Sequence, residues 1–99
     1  MAEVIWTEPA LNALDEIADH IALDDYDAAC RLMRKVFDKV DLLKKNPNLG
    51  NIPKDLRSTP YRRLVIKPAY VYFRVEGAEI IITFVERTER DFEISRFSR

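Results

Sequence analysis

The sequence predicts an α+β domain in which a helical hairpin packs on one face of a small, mainly antiparallel sheet, in the chain order β-α-α-β-β-β. Two apolar stripes at helical spacing occupy residues 8–45, runs rich in Val, Ile, Tyr and Phe occupy residues 61–86, and a proline-containing segment separates them. With 99 residues, 47% of them hydrophobic, the chain suits a single domain spanning 1–99, and its apolar content can offset the entropy of ordering it.

Val4, Ile5 and Trp6 form a short β-prone run that stops at Thr7-Glu8-Pro9. Thr7 suits a helix N-cap, Glu8 favours the positive end of the helix dipole, and Pro9 falls in the first turn, where its missing N–H costs nothing. Leu11, Leu14, Ile17, Ala18 and Ile21 then recur at helical spacing, which predicts a helix from about Glu8 to Ala22. Asp24-Asp25-Tyr26-Asp27 interrupts the pattern and caps a second helix with the stripe Ala29, Met33, Val36, Val40 and Leu43. Lys44 and Lys45 stand at its negative end, and it stops before Pro47. A connection this short brings the stripes together as an antiparallel hairpin.

Asn46 to Pro60 holds three prolines and Gly50 and reads as a loop. Tyr61 to Lys67, Tyr70 to Val75 and Glu79 to Glu86 then read as three strands of a meander, with Glu76-Gly77-Ala78 as a tight hairpin turn. Alternation sends Val71, Phe73 and Val75 toward the helices and Tyr70, Tyr72 and Arg74 to the opposite face. Ile80 to Val85 is apolar at nearly every position, the pattern of a central strand covered on both faces. Thr88-Glu89-Arg90-Asp91 has a capping-box pattern, yet Phe92, Ile94 and Phe97 share no period, so Arg87 to Arg99 reads as a short helix or a tail.

The net charge of −1 conceals an asymmetry. Residues 1–50 carry six Lys/Arg against ten Asp/Glu, and residues 51–99 carry ten against seven, giving −4 and +3. The second half can therefore meet an acidic partner, although +3 is modest for a dedicated nucleic-acid binder. No apolar run reaches the length of a membrane span, and no basic segment leads into a secretory stretch, which predicts a soluble protein. One cysteine, Cys30, excludes an internal disulfide and fits a reducing cytoplasm.

Candidate sites are few. His20 is the only histidine and has no second ligand at metal spacing, Asp24, Asp25 and Asp27 are explained by capping, and Cys30 has no His base or redox partner in view. Gly50 and Gly77 are isolated turn residues and form no phosphate loop. Neither a metal nor a cofactor is expected. Tyr61, Arg62, Arg63, Lys67, Tyr70, Tyr72 and Arg74 suit a groove for single-stranded nucleic acid, a sheet surface covered by its own aromatics, or a protein-binding surface.

Taken in order, Val-Ile-Trp-Thr-Glu-Pro-Ala-Leu (4–11), Ile17-Ala18-Asp19-His20-Ile21-Ala22, Asp27-Ala28-Ala29, Tyr61-Arg62, Phe73-Arg74-Val75 and Arg87 with Arg90-Asp91 resemble the RelE/ParE toxins of bacterial toxin–antitoxin pairs. The first helix is similar to the ParE branch in particular, and the resemblance spans nearly the whole chain. It implies a toxin that binds and poisons DNA gyrase, a cognate antitoxin of ParD type that neutralises it, and a toxin–antitoxin hetero-oligomer on operator DNA. RelE-type members instead cleave mRNA on the ribosome, which requires an acid, a base and cations on the phosphorane. Where that branch places an Arg near the start of the penultimate strand this sequence has Tyr70, and Arg87 to Arg99 holds no Tyr or His. The expected mode is thus binding without chemistry. Its expected contacts are Tyr61, Arg62, Tyr70, Tyr72, Arg74, Arg87, Arg90, Phe92 and Phe97, the last four belonging to a basic, aromatic carboxyl-terminal segment suited to gyrase. The alternatives are a ribosome-dependent endoribonuclease and a non-toxic homologue that only binds its antitoxin.

Overall fold

A computed structural model describes residues 2–88. Its elements are β1 (Glu3–Trp6), α1 (Glu8–Ala22), α2 (Tyr26–Leu42), a 3-10 turn (Lys54–Leu56), β2 (Tyr61–Ile66), β3 (Ala69–Glu76) and β4 (Glu79–Arg87). Arg90, Phe92 and Phe97, with the rest of the capping-box pattern, lie outside the described residues.

Both helices begin where the sequence places their caps. The Thr7 hydroxyl accepts from the Ala10 N–H at 3.4 Å, and the Asp25 carboxylate accepts from the Ala28 N–H at 3.0 Å. Pro9 sits in the first turn of α1. The stripes shift slightly from expectation. Ala10 is fully buried while Leu11 is 38% exposed, and on α2 Leu32 is buried where Met33 is only partly so. Leu32, Val36 and Val40 are spaced by four, so they stack along one side of the helix.

The sheet has the order β1-β4-β3-β2. The meander β2-β3-β4 is antiparallel, and β1 adds beside β4 in parallel, Val4 opposite Ile80 and Trp6 opposite Ile82. Between β2 and β3 the chain turns at Lys67-Pro68 through a cis peptide bond. Between β3 and β4 it turns at Gly77-Ala78. Gly77 has φ +57° and Ala78 has no positive φ, the pattern of a II′ hairpin.

One core lies between the helices and one sheet face. Leu14, Ile17, Val36 and Val40 from the helices meet Val71, Phe73, Ile80 and Ile82 from the sheet. No polar residue among those described is buried. Val75, expected on the core side, is 37% exposed near the hairpin end.

The expectation that Ile80 to Val85 is covered on both faces is not met: both helices lie on one side, and Phe84 is 45% exposed on the other. Tyr72 is opposite Phe84 and Phe73 is opposite Ile82, so Thr83 is the extra residue of a β-bulge. The bulge moves the core-facing positions of β4 from Ile80 and Ile82 to Val85. An unbroken apolar run here therefore records a change of phase, not double coverage.

On the outer edge of β2, Asn51 and Arg63 exchange backbone hydrogen bonds of 2.9 and 2.8 Å. Gly50 (φ +89°) makes this approach fit, because a Cβ there would stand 2.6 Å from the Arg63 carbonyl oxygen. The loop thus occupies the middle of an edge that would otherwise present unpaired backbone groups.

Candidate functional site

Directly opposed residues in a sheet share a face, so the register assigns each predicted side chain to one side. Tyr61 is opposite Arg74, Arg63 opposite Tyr72, and Val65 opposite Tyr70, all on the face away from the helices. Continuing into β4, Tyr72 meets Phe84 and Tyr70 meets Glu86. Three tyrosines, two arginines and an exposed phenylalanine thus share the face opposite the helices.

Arg62 and Arg87 go elsewhere. Arg62 is opposite the buried Phe73, and its guanidinium donates to the Asn48 carbonyl at 2.8 Å. Arg87 is opposite the buried Ala69 and lines a smaller groove of about 270 Å³ between α1 and β4, which also holds His20 and Glu16. By register, neither shares the tyrosines' face. Lys67 sits in the turn after β2, where its carbonyl accepts from the Lys35 ammonium at 3.3 Å.

The open face is organised by its own contacts. The Arg63 guanidinium lies 4.1 Å from the centre of the Tyr70 ring, a cation–π geometry, while its Nε is buried without an acceptor among the described residues. Tyr70 and Tyr72 meet edge to face at 6.5 Å. Tyr72 donates its hydroxyl to Glu86 at 3.0 Å. Burial pushes the Tyr72 phenol above the usual tyrosine range; Arg63 opposes the shift and Glu86 reinforces it. Arg74 is paired with Glu76 at 2.7 Å, and that bond raises the guanidinium pKa further.

Beside these residues the face deepens into a cleft of about 510 Å³. Pro53, Asp55 and Leu56 of the 3-10 turn form one wall. Tyr61, Arg63, Tyr72, Thr83, Phe84 and Glu86 form the floor and the other wall. Among the described residues its titratable groups other than arginine are two carboxylates and two phenols, a set suited to stacking and hydrogen bonding. Sequence reasoning named Tyr61, Arg63 and Tyr72 but missed Phe84, Glu86 and the 3-10 turn. Strand alternation could have separated Arg62 from Arg63, whereas nothing local announces the bulge that turns Phe84 outward.

Among the described residues, no group of His, Cys, Asp and Glu is placed to hold a metal ion, and no helix is long and apolar enough to cross a membrane.

Comparison with known proteins gives three findings. A family model described as the ParE toxin of the type II toxin–antitoxin system, parDE, matches residues 4–92. "Putative toxin Y4kP" of Sinorhizobium fredii (strain NBRC 101917 / NGR234) is 36% identical over 78 residues, which cover 79% of this chain and 80% of that protein. A solved structure of the chromosomal ParDE TA system from P. aeruginosa aligns with a TM-score of 0.75 at 27% identity, covering 88% of this chain and 96% of that one.

Proposed function

The chain belongs to the ParE toxin family of type II toxin–antitoxin systems, and from that premise we propose that it inhibits bacterial growth by binding and poisoning DNA gyrase, until a cognate antitoxin of ParD type neutralises it. The observation that carries a binding mode is the sheet face away from the helices, where aromatic and cationic groups are held by one another beside the cleft. Tyr and Arg are enriched at protein interfaces because a large, stiff side chain with a polar tip gains contact area at little entropic cost. The antitoxin is supported by the likeness to a ParDE TA system over most of both chains.

RelE-type mRNA cleavage fits the face less well. Tyr70 stands where that chemistry is expected to have an arginine, and its ring is engaged by Arg63. The only histidine, His20, lies on α1 in the smaller groove, which shares Phe84 and Glu86 with the cleft but none of its tyrosines or Arg63. A general acid or base contributes about 10² to 10⁴-fold, so a site without a positioned pair would be a poor nuclease.

The test is to induce the chain alone in a bacterium and follow DNA-damage signalling against translation arrest. Early damage signalling, with gyrase-cleaved DNA accumulating in a purified reaction and rescue by the antitoxin, is the expected outcome. Early translation arrest with cleaved mRNA in translating ribosomes would overturn the gyrase reading, and no growth defect at all would indicate a homologue that only binds its antitoxin.

A further inference from the structure

We propose that the cleft between the 3-10 turn and β4 receives an arginine side chain presented by a protein partner. This rests on the reading of the open face as a protein contact, and not on gyrase being that protein.

The charge of the cleft sets the class of guest. Among the described residues of the lining, Asp55 and Glu86 supply two carboxylates and Arg63 one cation. Among the described residues neither carboxylate forms an ion pair, and Glu86 is engaged only by the Tyr72 hydroxyl, through Oε2. Arg63 is held over the Tyr70 ring. A phosphate entering here would meet more negative than positive charge. A cation would be attracted by the same excess.

Tyr61, Tyr72 and Phe84 add ring faces to the same cleft, and Phe84 is 45% exposed. A cation between aromatic faces and carboxylates is stabilised by both. The face already stacks one guanidinium on one tyrosine, at 4.1 Å, which shows the packing a second would adopt. Arginine suits better than lysine because its planar group can lie on a ring while its edge donates paired hydrogen bonds to a carboxylate. At about 510 Å³ the cleft also has room for residues flanking that side chain, so the guest is a segment of a folded or folding chain.

The experiment titrates the ¹⁵N-labelled full chain with the peptide acetyl-Gly-Arg-Gly-amide, its citrulline counterpart and a thymidine pentanucleotide. The arginine peptide is expected to move the amide resonances of Tyr61, Tyr72 and Phe84. Citrulline, which keeps the shape and loses the charge, should bind at least about tenfold more weakly. Asp55→Asn, an exposed change in the 3-10 turn, should weaken the arginine peptide severalfold while leaving the spectrum of the free protein intact. Equal binding of the citrulline peptide, absence of shifts at the cleft, or shifts there with the oligonucleotide instead would each overturn the proposal. Inhibition of supercoiling is measured on the same preparation. Arginine binding without inhibition removes the gyrase reading alone, and inhibition without arginine binding removes this one alone.

Discussion

Thr7 serves two elements at once. Its hydroxyl accepts from the Ala10 N–H to cap α1 and donates to the Ile82 carbonyl of β4 at 2.7 Å. Thr7→Ala removes both bonds and should cost about 1–2 kcal/mol in urea unfolding, whereas Thr7→Ser, which keeps the hydroxyl, should stay within about 0.5 kcal/mol. Tyr72 provides a second test at this scale. Burial above all raises its pKa in the folded state, so folding favours the protonated phenol. The stability it contributes is complete below the ordinary tyrosine value of about 10 and is lost as pH rises through the higher folded value. Tyr26 is also raised, chiefly by its hydrogen bond with Cys30, so the comparison belongs in a Tyr26→Phe background. There, stability should fall more steeply above pH ~10 with Tyr72 present than with Phe at position 72, and equal slopes would contradict the assignment.

Elements were legible where local chemistry decides them. The bounds of α1 follow from Thr7, Pro9 and the apolar period, and the β3–β4 hairpin follows from Gly77, because a cap or a turn is settled within a few residues. The exchange of Met33 for Leu32 on α2 shows where this ends: both lie near the stripe, and only the sheet decides which one is buried. The face of Phe84 depends on a bulge involving β3, β4 and the Thr7 hydroxyl, which also approaches the Thr83 carbonyl at 3.3 Å. No local pattern encodes such a meeting, and the same holds for the parallel pairing of β1 with β4. For the carboxyl-terminal segment the hypothesis from its arginines and phenylalanines gives a direct prediction. Removing residues 93–99 should leave folding and antitoxin binding largely intact while abolishing inhibition of supercoiling, and a truncated chain of full potency would exclude the segment from the contact.

For the molecule as a whole, one core supports both the helices and the open face. Phe73 is fully buried at its centre, with Tyr72 and Arg74 on either side pointing the other way. Phe73→Ala should cost about 3–5 kcal/mol, a large share of the ~5–15 kcal/mol typical of a domain, so toxicity and antitoxin binding should fall together with the melting temperature. Tyr61→Ala, on the open face, should reduce target binding at nearly unchanged melting temperature. The Thr7–Ile82 bond joins residues 75 apart. A chain synthesised at about 5–20 residues per second reaches Ile82 roughly 4–15 s after Thr7. During that interval Leu14, Ile17, Val36 and Val40 have no completed sheet to pack against. Long-range pairing of this kind slows folding, and if the β1–β4 seam closes after the transition state, Thr7→Ala should raise the unfolding rate more than it lowers the folding rate in a denaturant chevron; the opposite partition would place the seam in the folding nucleus.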